Sequence, residues 1–160
     1  MEPDRIVLED VKIIFLNFTG REGPYNQEGD RNFCVLLDDV TAAGLTEGGW
    51  NVRHLEPREE GDTPQPYLQV AVKYVKRNGQ KVAKPPRVVM ISPTTKSRTA
   101  LDERTVELLD SVDILTADMI LRPSYWEMNG KSGVKAYLDS LFVTIDEDPL
   151  QKKYAEYDEE

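Results

Sequence analysis

The chain has 160 residues and 18.2 kDa, with 20 Lys and Arg against 29 Asp and Glu, a net charge of −9 and a pI near 4.7. A domain of this length buries roughly two thirds of the surface it exposes when unfolded, so its core needs neither disulfides nor a metal. No apolar run approaches the roughly 20 residues that span a bilayer. The opening Met1-Glu-Pro-Asp-Arg5 has neither the basic nor the apolar segment of a signal peptide, so no leader is expected.

In chain order the pattern is mostly strand. Lys12 to Phe18 is rich in Ile and Phe and ends at Thr19-Gly20. A polar loop with two glycines, 21–30, leads to a second strand from Asn32 to Leu37. Asp38 to Leu45 has the character of a short helix closed by Gly48-Gly49, and Trp50 to Leu55 reads as a third strand. Pro, Gly and acids make Glu56 to Gln65 a loop.

Tyr67 to Lys76 alternates, with Leu68, Val70, Val72 and Tyr74 on one face and Gln69, Ala71 and Lys73 on the other. Asn78-Gly79 predicts a hairpin turn that returns the chain past Pro85-Pro86 into Arg87 to Ser92. The main helix is expected at Leu101 to Val112, with Thr99 as its N-cap and Leu108, Leu109 and Val112 sharing a face. Two strands, Ile114 to Met128 and Val134 to Ile145, come next around a hairpin at Asn129 to Gly133. The expected fold is therefore mainly β, an antiparallel barrel or compact sandwich with hairpin extensions and one main helix, in a single domain over 1–145. Residues 146–160 read as an acidic, flexible C-terminal tail.

The single Cys34 and single His54 poorly supply zinc or Cys/His nucleophile chemistry, and Cys34 in a strand reads as a small hydrophobe. One unpartnered cysteine fits a reducing, cytosolic-type compartment. Adjacent Asp38 and Asp39 would be the carboxylates of a metal-dependent nuclease, but neighbours on a strand point to opposite faces and no spaced metal motif accompanies them. No enzyme activity, metal or cofactor is expected.

The charges are segregated. Residues 1–62 carry −8, 102–145 carry −4 and 146–160 carry −5, whereas 63–101 contain no acid and eight bases. Those bases are Lys73, Lys76, Arg77, Lys81, Lys84, Arg87, Lys96 and Arg98, and a hairpin would gather them into a positive finger or groove wall fit for a polyanion. A lysine-protected edge strand is the plainer alternative. Aromatic supply favours nucleic acid, because single-strand binders combine a cationic groove with rings on which bases stack. Phe33 and Trp50 read as core; Tyr25, in a polar loop, Tyr67 and Trp126 are the stacking candidates. The tail, with Glu156, Asp158, Glu159 and Glu160 at its end, reads as an inert solubilising end or as a partner-binding arm that competes with phosphates for the groove.

Asn17-Phe-Thr-Gly-Arg21, Tyr25 to Phe33 with its Gly-x-Arg-Asn-Phe element, and Gly48-Gly-Trp-Asn-Val-Arg53 resemble a family of tailed-bacteriophage single-stranded DNA-binding proteins with an OB-fold core. Tyr67-Leu-Gln-Val70, Pro85-Pro86 and Gly133-Val-Lys-Ala-Tyr137 continue the likeness, from about residue 6 to 154. The resemblance implies an OB-like barrel crossed on one face by ssDNA, and an acidic C-terminus that recruits replication or recombination proteins. The tail departs from several replication proteins of this kind by ending Tyr157-Asp-Glu-Glu160, without a terminal aromatic. The resemblance also implies that, by position, Arg21, Tyr25, Arg31 and Asn32 belong to the first inter-strand loop and that the basic hairpin supplies a wall.

The expected function is sequence-tolerant ssDNA binding in phage replication or recombination, in the cytoplasm of the infected host, with no membrane partner and with self-association open. Lys73, Lys76, Arg77, Lys81, Lys84 and Arg87 would neutralise phosphates, Tyr25, Tyr67 or Trp126 would stack bases, and Arg21 and Arg31 would contact backbone or stack. The alternative is an acidic protein-interaction or virion-associated module that binds no DNA.

Overall fold

Alternating burial along extended segments builds the molecule. The computed structural model describes residues 5–24, 26–57, 59–76 and 78–146. Its elements are β1 (Ile6–Val11), β2 (Ile13–Asn17), β3 (Arg31–Leu36), α1 (Asp39–Glu47), β4 (Val52–Leu55), β5 (Gln65–Val72), β6 (Arg87–Ser92), β7 (Ser97–Leu101), a 3-10 turn (Val106–Asp110), β8 (Ile114–Met128) and β9 (Lys131–Ile145). The hydrogen-bonded order is β1-β8-β9-β5-β3-β2, with β4 on β5 and the β6–β7 hairpin on β9.

That order does not return to its start, so the sheet is open. It nevertheless wraps one core: Leu8 of β1 and Ile13 of β2 reach the same cluster as Phe33, Leu68, Val70, Met119, Leu121, Val134 and Leu141, and β2 comes against β8. The expected mainly-β, OB-like architecture is thus present as a nearly closed barrel. It is not wholly antiparallel, because β5 (Val70↔Ala136) and β6 (Arg87↔Ser140 to Ile91↔Thr144) both join the same edge of β9 in parallel.

That shared edge corrects one expectation. The segments around Tyr67 and Arg87 do not form a hairpin with each other. β5 lies between β3 on one side and β4 and β9 on the other, and the Asn78-Gly79 turn belongs to a small excursion closed by Lys76 N–H to the Gln80 carbonyl, 2.7 Å, and Val82 N–H to the Tyr74 carbonyl, 3.0 Å.

The helix expected at 101–112 is also corrected. Thr99 lies in β7 opposite Met90, and Leu101 is the buried last residue of that strand. Asp102 then takes bonds on one carboxylate oxygen from Arg104 N–H, Thr105 N–H and the Thr105 hydroxyl, 2.9 to 3.0 Å. The chain continues into a 3-10 turn that buries Val106 and Leu109, three residues apart, while Leu108 stays exposed. The α-helix is the other segment, α1, capped by Asp38, whose Oδ1 accepts from Thr41 N–H at 2.7 Å. That capping role occupies one of the two carboxylates a nuclease reading would use.

Candidate nucleic-acid interface

Period-two alternation divides each strand of the sheet into a core face and an outer face. Leu68, Val70 and Val72 of β5 point inward, as do Val134, Ala136 and Leu138 of β9. Residues of the opposite parity therefore share the outer face. One row across it runs Asn17↔Asn32, Asn32↔Ala71, Ala71↔Tyr137 and Tyr137↔Arg122, through β2, β3, β5, β9 and β8.

Tyr137 is the centre of this row. Three cations, from β9, β8 and the residue just past β5, lie within cation–π range of its ring: Lys135 Nζ at 5.3 Å, Arg122 Cζ at 5.6 Å and Lys73 Nζ at 5.9 Å from the centroid. The one ion pair among the described residues joins Arg5 to Asp139, 3.3 Å apart, so no described carboxylate pairs with any of the three. Three mutually repelling cations gathered on a half-buried ring are arranged for an anion that also presents a flat π-face.

Four residues from the Tyr137 row, about 13 Å along the strands, lies a second set on the same face. Tyr67 sits opposite Arg53, with Phe15 meeting its ring edge-on at 6.2 Å. Trp126, 38% exposed, sits opposite Gly133. Arg87 adds a cation further along β9, its Cζ 5.4 Å from the Phe142 ring centroid.

Of the cations expected at the site, Lys73 joins the outer face, and Lys76, Lys81 and Lys84 are exposed on the excursion between β5 and β6. Because β5 and β6 attach to β9 on either side of residues 138–139, this excursion stands beside the Tyr137 row. Lys96 and Arg98 are elsewhere. The turn of the β6–β7 hairpin lies past Thr144, about 23 Å along β9 from Tyr137. The acid-free block is therefore divided in space, and two cations of the central cluster, Arg122 and Lys135, come from outside it.

The first loop is braced by asparagines. Asn17 Oδ1 accepts from Gly20 N–H at 3.0 Å and Arg21 N–H at 2.8 Å. Asn26 Nδ2 donates to the carbonyls of Arg21, Gln27 and Asp30, and Asn32 Nδ2 donates to Asn26 Oδ1 at 2.7 Å. Gly20, at φ 79°, would place a Cβ 3.1 Å from the Gly29 backbone, so only glycine lets the loop close there. Asn32 thus fixes the loop that presents the exposed Arg21. Arg31 takes the opposite face: its Nη1 donates to the Glu103 carbonyl at 2.7 Å and its Cζ lies 5.2 Å from the buried Tyr74 ring. Tyr25, Arg77 and the tail residues Glu156, Asp158, Glu159 and Glu160 lie outside the described residues.

Phe33 and Trp50 are core, as their strand setting predicts. Cys34 is buried and free, and burial pushes its thiol up to about 11, which suits an inert hydrophobe.

No curated protein is significantly similar to the chain. Among solved structures it is similar to the single-stranded DNA-binding protein from bacteriophage Enc34. The C-terminally truncated form is 10% identical, with a TM-score of 0.53 over 91% of this chain and 87% of that one. The same protein in complex with ssDNA is 9% identical, with a TM-score of 0.53 over 91% and 88%. These likenesses establish a shared fold. The sequence itself matches the family described as "Putative phage ssDNA-binding domain" across residues 1–160, and the chain belongs to that family.

Proposed function

We propose that the protein coats single-stranded DNA through the outer face of β5, β9 and β8, binding without sequence-wide selection and without catalysis. Family membership supports the ligand. The observation that carries the site is Tyr137 with Lys73, Arg122 and Lys135 gathered on it and no described carboxylate paired with them. A base stacks on the ring while neighbouring phosphates take the cations, and each base–aromatic stack contributes about 1–3 kcal/mol. The exposed Lys76, Lys81 and Lys84 form one wall, with Arg77 beside them in sequence. Arg21 stands on the braced first loop, and Tyr67, Trp126 and Arg87 extend the face.

In this reading the domain over 1–145 holds DNA during phage replication or recombination in the host cytoplasm, and the acidic 146–160 serves protein partners and competes for the cations. Fluorescence anisotropy of labelled oligo-dT, duplex DNA and RNA across a salt series is the test. Tight binding to oligo-dT that weakens steeply with salt and exceeds duplex binding is expected. Equal affinity for duplex would remove the single-strand claim, and no binding at low salt would remove the function.

A further inference from the structure

We infer that Trp126, Gly133 and Asn51 form a discrete subsite for one unpaired nucleobase, in which Asn51 reads the base edge. The inference rests on the ssDNA reading above and adds selectivity at one position.

Trp126 and Gly133 face each other across β8 and β9 on the outer face. A Cβ built on Gly133 would lie 2.9 Å from both Cζ2 and Nε1 of Trp126 and 2.6 Å from Oδ1 of Asn51. The indole therefore lies over the bare Gly133 Cα, closer than any side chain there would permit. The backbone beneath supports the ring, so its orientation is set before a ligand arrives and little rotamer entropy is lost on stacking. Trp126 is also 38% exposed, against 5% for Trp50, so ring surface remains open to solvent.

Asn51 converges on the same point. Its backbone N–H is fixed on the Val134 carbonyl at 3.1 Å, and the Val134 N–H is held by the Gly49 carbonyl at 2.9 Å, which ties the segment before β4 to β9. Among the described residues its side-chain amide has no hydrogen-bond partner, although it is half-buried. An amide supplies a donor and an acceptor side by side, the pairing that matches adenine bidentately at N6 and N7. Stacking alone tolerates every base; an amide fixed beside the stack does not. Gly133 is necessary for both contacts, since any Cβ would push the indole off the strand and Asn51 away from it.

The two tryptophans differ enough in burial to make the test spectroscopic. Intrinsic fluorescence excited at 295 nm is followed while oligo-dA, oligo-dT and an abasic oligomer of equal length are added, with anisotropy of end-labelled oligomers as an independent measure of binding. Quenching by both base-bearing oligomers and none by the abasic one is expected, with oligo-dA bound more tightly. Trp126→Phe should abolish the quench while retaining most affinity, and Trp126→Ala should raise the Kd about tenfold. Asn51→Ala should keep the quench and equalise the affinities for oligo-dA and oligo-dT. Binding by anisotropy with no quench would overturn the subsite and leave ssDNA binding standing. An unchanged oligo-dA to oligo-dT ratio in Asn51→Ala would overturn the edge reading. Absence of binding by anisotropy would overturn the ssDNA reading and the subsite with it.

Discussion

Tyr137 and Tyr74 show how differently one residue type can serve the same sheet. Tyr137 is half-buried on the outer face with three cations around it. Tyr137→Ala should weaken ssDNA binding by about 1–3 kcal/mol and leave the melting temperature nearly unchanged, as titration and thermal unfolding of the same sample will show. Tyr74 is 8% exposed, and its buried hydroxyl has no hydrogen-bond partner among the described residues. Burial, ahead of the opposing effect of Arg31, pushes that hydroxyl up to about 12. The unfolded chain would ionise it near pH 10 and the folded chain would not, so folded molecules hold more protons between those values and stability falls as pH rises through them. Tyr74→Phe should flatten that alkaline decline and be neutral or stabilising at pH 7, because it removes an unsatisfied buried polar group. Thermal melts from pH 7 to 11 decide it; a clear loss of stability at pH 7 would show that the hydroxyl has a partner.

Charge on one excursion and carboxylates in two turns set the behaviour of whole elements. Replacing Lys76, Lys81 and Lys84 on the β5–β6 excursion together by Ala should reduce the slope of log K against log salt by up to about 2, at about 0.7 per phosphate on single strands. An unchanged slope would place the excursion outside the DNA path. Backbone and side-chain bonds from Thr41 hold the Asp38 carboxyl below its ordinary range, and bonds from the Thr105 hydroxyl and N–H do the same for Asp102. Their stabilisation is complete above the unfolded carboxylate pKa of about 4 and disappears as pH falls through the lowered values. The double variant D38N/D102N should therefore lose less melting temperature than the parent between pH 5 and 2.5.

The strand faces at Tyr67 to Val72, the short helix after Asp38 and the long arms of β8 and β9 were legible in the chain, because alternation and turn chemistry dictate them. The helix expected at 101–112 was not, because Leu101, Val106 and Leu109 are apolar at spacings that fit a 3-10 turn after a strand as well as an α-helix. The central cluster was hidden by register. With Asn129 and Gly130, at φ 53° and 79°, as a two-residue turn, counting seven residues outward on each arm pairs Arg122 with Tyr137. A longer loop to Gly133 conceals that pairing. Ala71 beside Tyr137 is a parallel contact between distant segments, which no local pattern announces.

At the scale of the molecule, a net charge of −9 coexists with a cationic outer face because no described carboxylate pairs with the cations at its centre. Total charge governs solubility, whereas the local field governs the ligand. The parallel attachment of both β5 and β6 to β9 has a further consequence in time. Among the described residues β9 is the last strand of the sheet to leave the ribosome, yet β8, β5 and β6 all bond to it. A nascent chain stalled before residue 131 has no central strand on which to assemble, and its apolar edges must wait uncovered through the synthesis of everything upstream. Ribosome-bound chains halted at residue 130 should be digested readily by protease. Those extended far enough for Ile145 to clear the exit tunnel should resist, in one step rather than by degrees.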